Sequence, residues 1–74
     1  MTPAELPRTA VVSSLLSAMS YSLDSTLELE FRSGAIYRYF GVPPAVFQGL
    51  LVAASKGAYF NRIVRNRFRY QRLA

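Results

Sequence analysis

Residues 27–40 read LELEFRSGAIYRYF, and this stretch predicts a β-hairpin. Leu27, Leu29 and Phe31 alternate with charged residues, which is the period-two pattern of a strand with one apolar face. The alternation breaks before Gly34 and resumes after it in a returning strand rich in aromatic residues. An antiparallel hairpin is therefore the centre of the predicted fold.

The length of the hairpin loop decides which residues face one another. A two-residue loop would place Arg38 beside Leu29 on the apolar face. A three-residue loop ending at Gly34 instead places Tyr37 beside Leu29 and brings Arg38 opposite Glu28. We predict the three-residue loop, because it pairs apolar with apolar and acid with base, and because Gly34 then takes the left-handed conformation usual in such loops.

The chain upstream of the hairpin divides into an arm and a further strand. Positions 1–10 contain two prolines and few apolar residues, which predicts a flexible N-terminal arm. The loose alternation that follows predicts a first strand over about 16–22. Residues 11–74 are then expected to form a single domain.

Two helices are predicted downstream of the hairpin. The first, over about 44–54, begins with prolines and carries apolar residues at helical spacing. The segment Ser55-Lys56-Gly57 is expected to break this helix, with Gly57 as the helix-terminating residue. The second helix, over about 58–65, is expected to turn Tyr59, Phe60 and Ile63 inward, with Val64 as a further candidate, and to have Asn66 as its C-cap.

Together these elements predict an α+β domain, a three-stranded antiparallel meander with two helices packed on one face. The alternating segment 67–73 has two interpretations, a short fourth C-terminal strand or an extended tail packed on the sheet. The core is expected to contain residues from the hairpin and from both helices, namely Phe31, Phe47, Leu50 and Ile63.

Composition excludes most classes of active site. The chain has neither cysteine nor histidine, so disulfides, thiolate metal sites and Ser–His or Cys–His nucleophiles are absent. Glu28 and Glu30 share a strand face, but that face is expected to be solvated rather than to form a catalytic pair. We therefore predict no catalytic residue, no metal, no cofactor and no enzyme activity. The longest uncharged stretch, 40–55, is too short and too interrupted to span a bilayer, and the first residues lack the pattern of a secretory signal, so we expect a cytoplasmic protein. We also expect a monomer.

Charge is distributed very unevenly along the chain. The net charge is +5, and no acidic residue follows Glu30. Basic residues interleaved with aromatic ones are typical of nucleic-acid-binding surfaces, although net charge also serves simply to keep a small protein in solution. The residues expected to contact phosphates are Arg38, Lys56, Arg62, Arg65, Arg67, Arg69 and Arg72.

Two smaller features each have a functional and a structural interpretation. Tyr37 and Tyr39 share one strand face, where they either stack on bases or pack in the core against the helices. The Ser55-Lys56-Gly57 segment, with Asn61 nearby, either cradles a phosphate at a helix N-terminus or simply connects two helices.

The order of these short motifs resembles the KTSC domain family over roughly residues 11–73. The resemblance implies a small module found at the C-terminus of some lysyl-tRNA synthetases and alone in bacterial proteins, with RNA binding conjectured rather than established. It implies no aminoacylation, because these 74 residues contain no synthetase catalytic region. The matching motifs are Val12-Ser13-Ser14, Tyr21, Leu29-Glu30-Phe31, Gly34, Tyr37-Arg38-Tyr39, Val42-Pro43, Ser55-Lys56-Gly57, Phe60-Asn61 and Ile63.

Two functions from different classes follow from the sequence. The first is a non-catalytic accessory module that binds nucleic acid, RNA above all, or another polyanion through the basic C-terminal surface. The second is a protein-interaction module whose basic surface meets an acidic partner protein. Neither function involves a membrane.

Overall fold

The computed structural model describes residues 9–10 and 13–74, which form an α+β domain. All five strands are antiparallel and lie in sequence order, so the predicted meander is confirmed. The alternative of a C-terminal strand is confirmed as well, because the last strand pairs with the one before it. The strands are β1 (Thr9–Ala10), β2 (Leu16–Tyr21), β3 (Leu27–Phe31), β4 (Ile36–Tyr39) and β5 (Tyr70–Arg72).

Strand β1 was not expected from the sequence, which placed both of its residues in the flexible arm. Thr9 pairs with Met19 and Ala10 with Ala18, so backbone pairing joins this segment to the sheet. The remainder of the predicted arm, 1–8, lies outside the described residues.

The β3–β4 hairpin has the predicted register. Leu29 lies opposite Tyr37, and Glu28 lies opposite Arg38 with 3.0 Å between Oε2 and Nη2. Gly34 adopts a φ of +95°, and its N–H donates to the Phe31 carbonyl at 2.9 Å. A residue with a Cβ would be strained in this conformation, so the loop depends on glycine.

The helices differ from their predicted boundaries. Helix α1 spans Pro44–Val52, and helix α2 spans Lys56–Tyr59 and continues directly into a π-helical turn, Phe60–Val64. Gly57 lies inside α2, so its predicted role as a helix-terminating residue was wrong. The reason is that Ala53 and Ser55 are already extended and separate the two helices without a left-handed residue.

The left-handed residue of this region lies instead after the π-helical turn. Asn66, predicted as the C-cap, has a φ of +64° there and lies one residue beyond the C-cap itself, which is Arg65. Within residues 9–10 and 13–74, no helix is long and apolar enough to cross a bilayer.

The core lies between the helices and one face of the sheet. Of the four predicted core residues only Leu50 is fully buried, whereas Phe31, Phe47 and Ile63 are half-buried. The partial exposure of Ile63 follows from the π-helical turn. The turn is wider than an α-helical one and directs Val64, rather than Ile63, toward the core. The buried residues are Leu16, Met19, Leu27, Leu29, Tyr39, Val42, Leu50, Phe60 and Val64.

Phe47 packs at the rim of this core. Its ring lies parallel to that of Tyr21, with centroids 4.8 Å apart. The Tyr21 hydroxyl in turn donates to the Val42 carbonyl at 2.5 Å, which ties β2 to the chain entering α1. The rim contact therefore fixes α1 on the sheet even though Phe47 is only half-buried.

Candidate nucleic-acid interface

A groove of about 480 Å³ opens beside strands β4 and β5, on the sheet face that also carries the helices. Its volume falls within the range of about 300–1,000 Å³ usual for ligand sites. Aromatic residues and arginines contribute most of its lining, and no acidic residue lines it. The groove is therefore a concave surface on which several of the predicted aromatic and basic residues meet.

Strand geometry brings three tyrosines together in this groove. Tyr37 and Tyr39 share a face because they alternate along β4. The β4–β5 register places Tyr70 opposite Tyr39 and Arg72 opposite Tyr37. The ring centroids of the three tyrosines lie 5.5–6.2 Å apart, so they form one continuous aromatic surface.

Burial decreases across this aromatic surface from Tyr39 to Tyr70. Tyr39 is 5% exposed and meets the Phe60 ring edge-on at 5.9 Å, whereas Tyr70 is 59% exposed. The pKa of Tyr39 is raised to about 12, mainly by burial, with smaller contributions from Tyr37 and Tyr70 and an opposing contribution from the charge of Arg65. Tyr39 is thus a neutral hydroxyl at physiological pH and can donate a hydrogen bond.

Two arginines border the aromatic surface. The Arg72 guanidinium carbon lies 5.7 Å from the centroid of the Tyr37 ring, at cation–π distance, and its Nε donates to the Ala74 carbonyl at 2.9 Å. Arg65 follows the π-helical turn, and its exposed side chain lines the same groove. Positive charge therefore reaches the tyrosines from two separate elements.

The five tyrosines of the chain fall into two groups by their hydrogen bonds. Tyr21 and Tyr59 donate their hydroxyls to backbone carbonyls at 2.5 and 3.1 Å. Within the described part of the chain, the hydroxyls of Tyr37, Tyr39 and Tyr70 form no hydrogen bond to protein atoms. The groove thus contains three hydroxyl groups whose hydrogen-bonding capacity is not used by residues 9–10 and 13–74.

Two predicted phosphate-contacting residues lie elsewhere and have structural partners. Arg38 alternates with the groove tyrosines, so it lies on the other sheet face, paired with Glu28. The Lys56 ammonium donates to the carbonyls of Leu51 at 2.9 Å and Ala53 at 3.3 Å. Lys56 therefore satisfies backbone groups at the C-terminal end of α1, where positive charge is also favoured by the helix dipole.

The rest of the predicted phosphate loop has local roles. Ser55 Oγ accepts a hydrogen bond from the Ala58 N–H at 3.2 Å and caps α2. A Cβ on Gly57 would lie 3.5 Å from the Leu15 side chain, an ordinary packing distance. Asn61 is exposed on the π-helical turn. None of these residues lines the groove.

The remaining arginines, Arg62, Arg67 and Arg69, are exposed and lie outside the groove. Their side chains form neither ion pairs nor hydrogen bonds with other parts of the described structure. They remain available for contacts with an external polyanion.

Sequence reasoning missed Tyr70 as a member of the site. The alternation of Tyr70 with Arg72 was visible, but only the pairing of β5 with β4 brings that face against Tyr37 and Tyr39. The sequence did contain a signal for this pairing. The β4 segment and the C-terminal segment both have aromatic residues at alternate positions, and aromatic residues often face each other on paired strands.

A family model, a solved structure and a sequence relative each match most of the chain. The KTSC domain family model matches residues 12–68. A KTSC domain protein from Yersinia pestis, solved by crystallography, superimposes with a TM-score of 0.88 at 30% identity, covering 92% of this chain and 97% of the other. An uncharacterised protein of Stutzerimonas stutzeri is 44% identical over 70 residues, which cover 92% of this chain and 99% of that protein.

Similarity also extends to one part of a larger enzyme. A lysine–tRNA ligase of Nostoc punctiforme is 40% identical over 62 residues, which cover 82% of this chain but 11% of the ligase. The chain therefore matches about a tenth of that enzyme. The family model, the solved structure and these relatives agree, and the chain belongs to the KTSC domain family.

Proposed function

We propose that this chain is a non-catalytic accessory module that binds single-stranded RNA in the cytoplasm. The observation that supports this function is the groove in which Tyr37, Tyr39 and Tyr70 form one aromatic surface bordered by Arg65 and Arg72. Aromatic rings that stack on bases, together with cations that track phosphates, are the two parts of a single-strand binding surface.

Single strands suit this surface better than duplexes. A base can stack on a tyrosine ring only when it has left its own stack, which loops, bulges and ends of RNA allow. Such stacking contributes about 1–3 kcal/mol per base and tolerates every base, since all bases have a π-face. The exposed Arg62, Arg67 and Arg69 would add contacts to neighbouring phosphates.

We favour RNA over DNA because relatives of this chain form part of enzymes whose names include tRNA. The matching segment of the Nostoc punctiforme protein belongs to a lysine–tRNA ligase, and similar segments occur in two further lysine–tRNA ligases. A module carried by enzymes that act on tRNA is well placed to contact RNA. This setting supports the choice of RNA as the nucleic acid to be tested first.

The test is a titration of fluorescently labelled oligonucleotides followed by anisotropy at several salt concentrations. The probes are single-stranded RNA, duplex RNA and a labelled polyglutamate peptide of similar charge. We expect the single strand to bind most tightly, with log affinity falling with log salt at a slope of about −2.8 if four phosphates are neutralised.

The same titration separates this function from its alternative. Affinity for the peptide that equals or exceeds affinity for the RNA would favour a module that binds an acidic protein. RNA affinity that does not change with salt would contradict phosphate contacts by the arginines.

A further inference from the structure

We infer that the groove holds one nucleotide, with its base on the Tyr70 ring and its phosphate between the guanidinium groups of Arg65 and Arg72. This inference rests on the proposed RNA-binding function and specifies the unit that the groove recognises. It concerns the groove alone, since the other arginines lie outside it.

The volume of the groove limits how much RNA can enter it. About 480 Å³ is the size of a small-molecule site and suits one nucleotide rather than a run of them. Neighbouring nucleotides would then lie along the exposed arginines of the π-helical turn and the following segment.

Tyr70 is the tyrosine with room for a base. Tyr39 is 5% exposed and packs against Phe60, while the Arg72 guanidinium already lies over the Tyr37 ring. Tyr70 is 59% exposed even though it belongs to the same aromatic surface. A base stacked on Tyr70 would therefore extend the existing aromatic surface without displacing a side chain.

The polar groups around that position match a phosphate and a sugar. Arg65 and Arg72 line the groove from two different elements, and no carboxylate lines it. Guanidinium groups form charge-assisted, often bidentate hydrogen bonds with phosphate oxygens. The tyrosine hydroxyls, which have no protein partner within the described residues, can donate to the phosphate or to the ribose.

The first test is an NMR titration of the protein with uridine 5′-monophosphate, ribose 5-phosphate and inorganic phosphate. We expect the mononucleotide to shift the ring signals of Tyr37, Tyr39 and Tyr70 and to bind more tightly than either ligand that lacks a base. Shifts confined to another surface, no shift at all, or equal binding of the three ligands would overturn the inference.

The second test compares Tyr70→Leu with Tyr70→Phe, which keeps an aromatic face, and with Phe40→Leu, a change at an exposed aromatic residue outside the groove. Tyr70→Leu is expected to weaken binding to single-stranded RNA by roughly 5- to 150-fold. Tyr70→Phe keeps the ring and loses the hydroxyl, so its loss should be smaller than that of Tyr70→Leu. Phe40→Leu should stay within about twofold of the unmodified protein. Thermal melting establishes that each variant is folded.

These outcomes separate the inference from the proposed function. Salt-dependent RNA binding that is unchanged in Tyr70→Leu would overturn the nucleotide site and leave the module an RNA binder through its arginines. Absence of RNA binding in the unmodified protein, with mononucleotide shifts retained in the groove, would overturn the proposed function and leave a nucleotide site.

Discussion

Tyr39 and Tyr70 lie directly opposite each other on β4 and β5, with ring centroids 5.9 Å apart. Both helices intervene between these two strands in the chain, so the contact exists only after the C-terminal segment has returned to the sheet. One ring is buried and the other is largely exposed. The pair thus joins the core to the surface of the groove.

The pKa of Tyr39 predicts how stability depends on pH. In the unfolded chain this hydroxyl ionises near pH 10, whereas burial raises its pKa to about 12 in the folded protein. The folded state therefore holds more protons between these values, and the free energy of unfolding should fall as pH rises from about 10 to 12.

This fall can be measured by urea denaturation at several pH values in the unmodified protein and in Tyr39→Phe. The variant lacks the ionisable group, so its free energy of unfolding should decline less steeply above about pH 10. Equal slopes in both proteins would show that burial of this hydroxyl does not control its ionisation.

Two glycines on the helices should respond in opposite ways to alanine. A Cβ on Gly49 would meet the Tyr59 hydroxyl and lie 2.7 Å from its ring carbon Cζ. Tyr59 would have to move and lose its 3.1 Å hydrogen bond to the Val46 carbonyl. We expect Gly49→Ala to destabilise the protein by about 1–3 kcal/mol in chemical denaturation.

Gly57→Ala is the matched control for that change. Gly57 lies within α2, and a Cβ there would make only an ordinary contact with Leu15 at 3.5 Å. Alanine is the better helix former, so a gain of about 0.5–1 kcal/mol is expected. A clear loss of stability in Gly57→Ala would restore the role of helix terminator that the sequence suggested for this residue.

The burial of Leu50 and the partial exposure of Ile63 predict different losses of stability when each is replaced by alanine. Leu50 is fully buried, so Leu50→Ala should cost about 2–5 kcal/mol. Ile63 is half-buried, and Ile63→Ala should cost markedly less, about 1 kcal/mol. Chemical denaturation of both variants measures the difference, and similar losses would mean that the Ile63 side chain also belongs to the core.

The arginines on the two sheet faces should differ in their effect on RNA binding. Arg65 lines the groove, whereas Arg38 lies on the opposite face and pairs with Glu28. Arg65→Gln is expected to weaken binding of every single-stranded sequence alike and to reduce the salt slope by about 0.7, because phosphate contacts do not read bases. Anisotropy titrations over a range of salt concentrations provide both quantities.

Arg38→Gln is the control in the same titrations. It removes one positive charge, as Arg65→Gln does, but on the face away from the groove. The salt slope of this variant should equal that of the unmodified protein. A reduction as large as that of Arg65→Gln would assign the RNA to the opposite face of the sheet.

The sequence by itself determined the local parts of this protein. The β3–β4 register, the positive φ of Gly34 and the Glu28–Arg38 pair were predictable, because loop length and period-two alternation specify a hairpin without reference to distant residues. The family was predictable too, because its short motifs follow one another along the chain in order.

Tertiary structure decided the helix boundaries and the candidate site. Whether Ile63 or Val64 turns inward depends on a π-helical turn that packs against the sheet, and helical periodicity alone fits both residues. Likewise, β5 could bring Tyr70 to Tyr39 only by pairing with β4 across the whole helical segment. Such long-range pairing is set by the packing of the complete domain, and so no short stretch of sequence contains it.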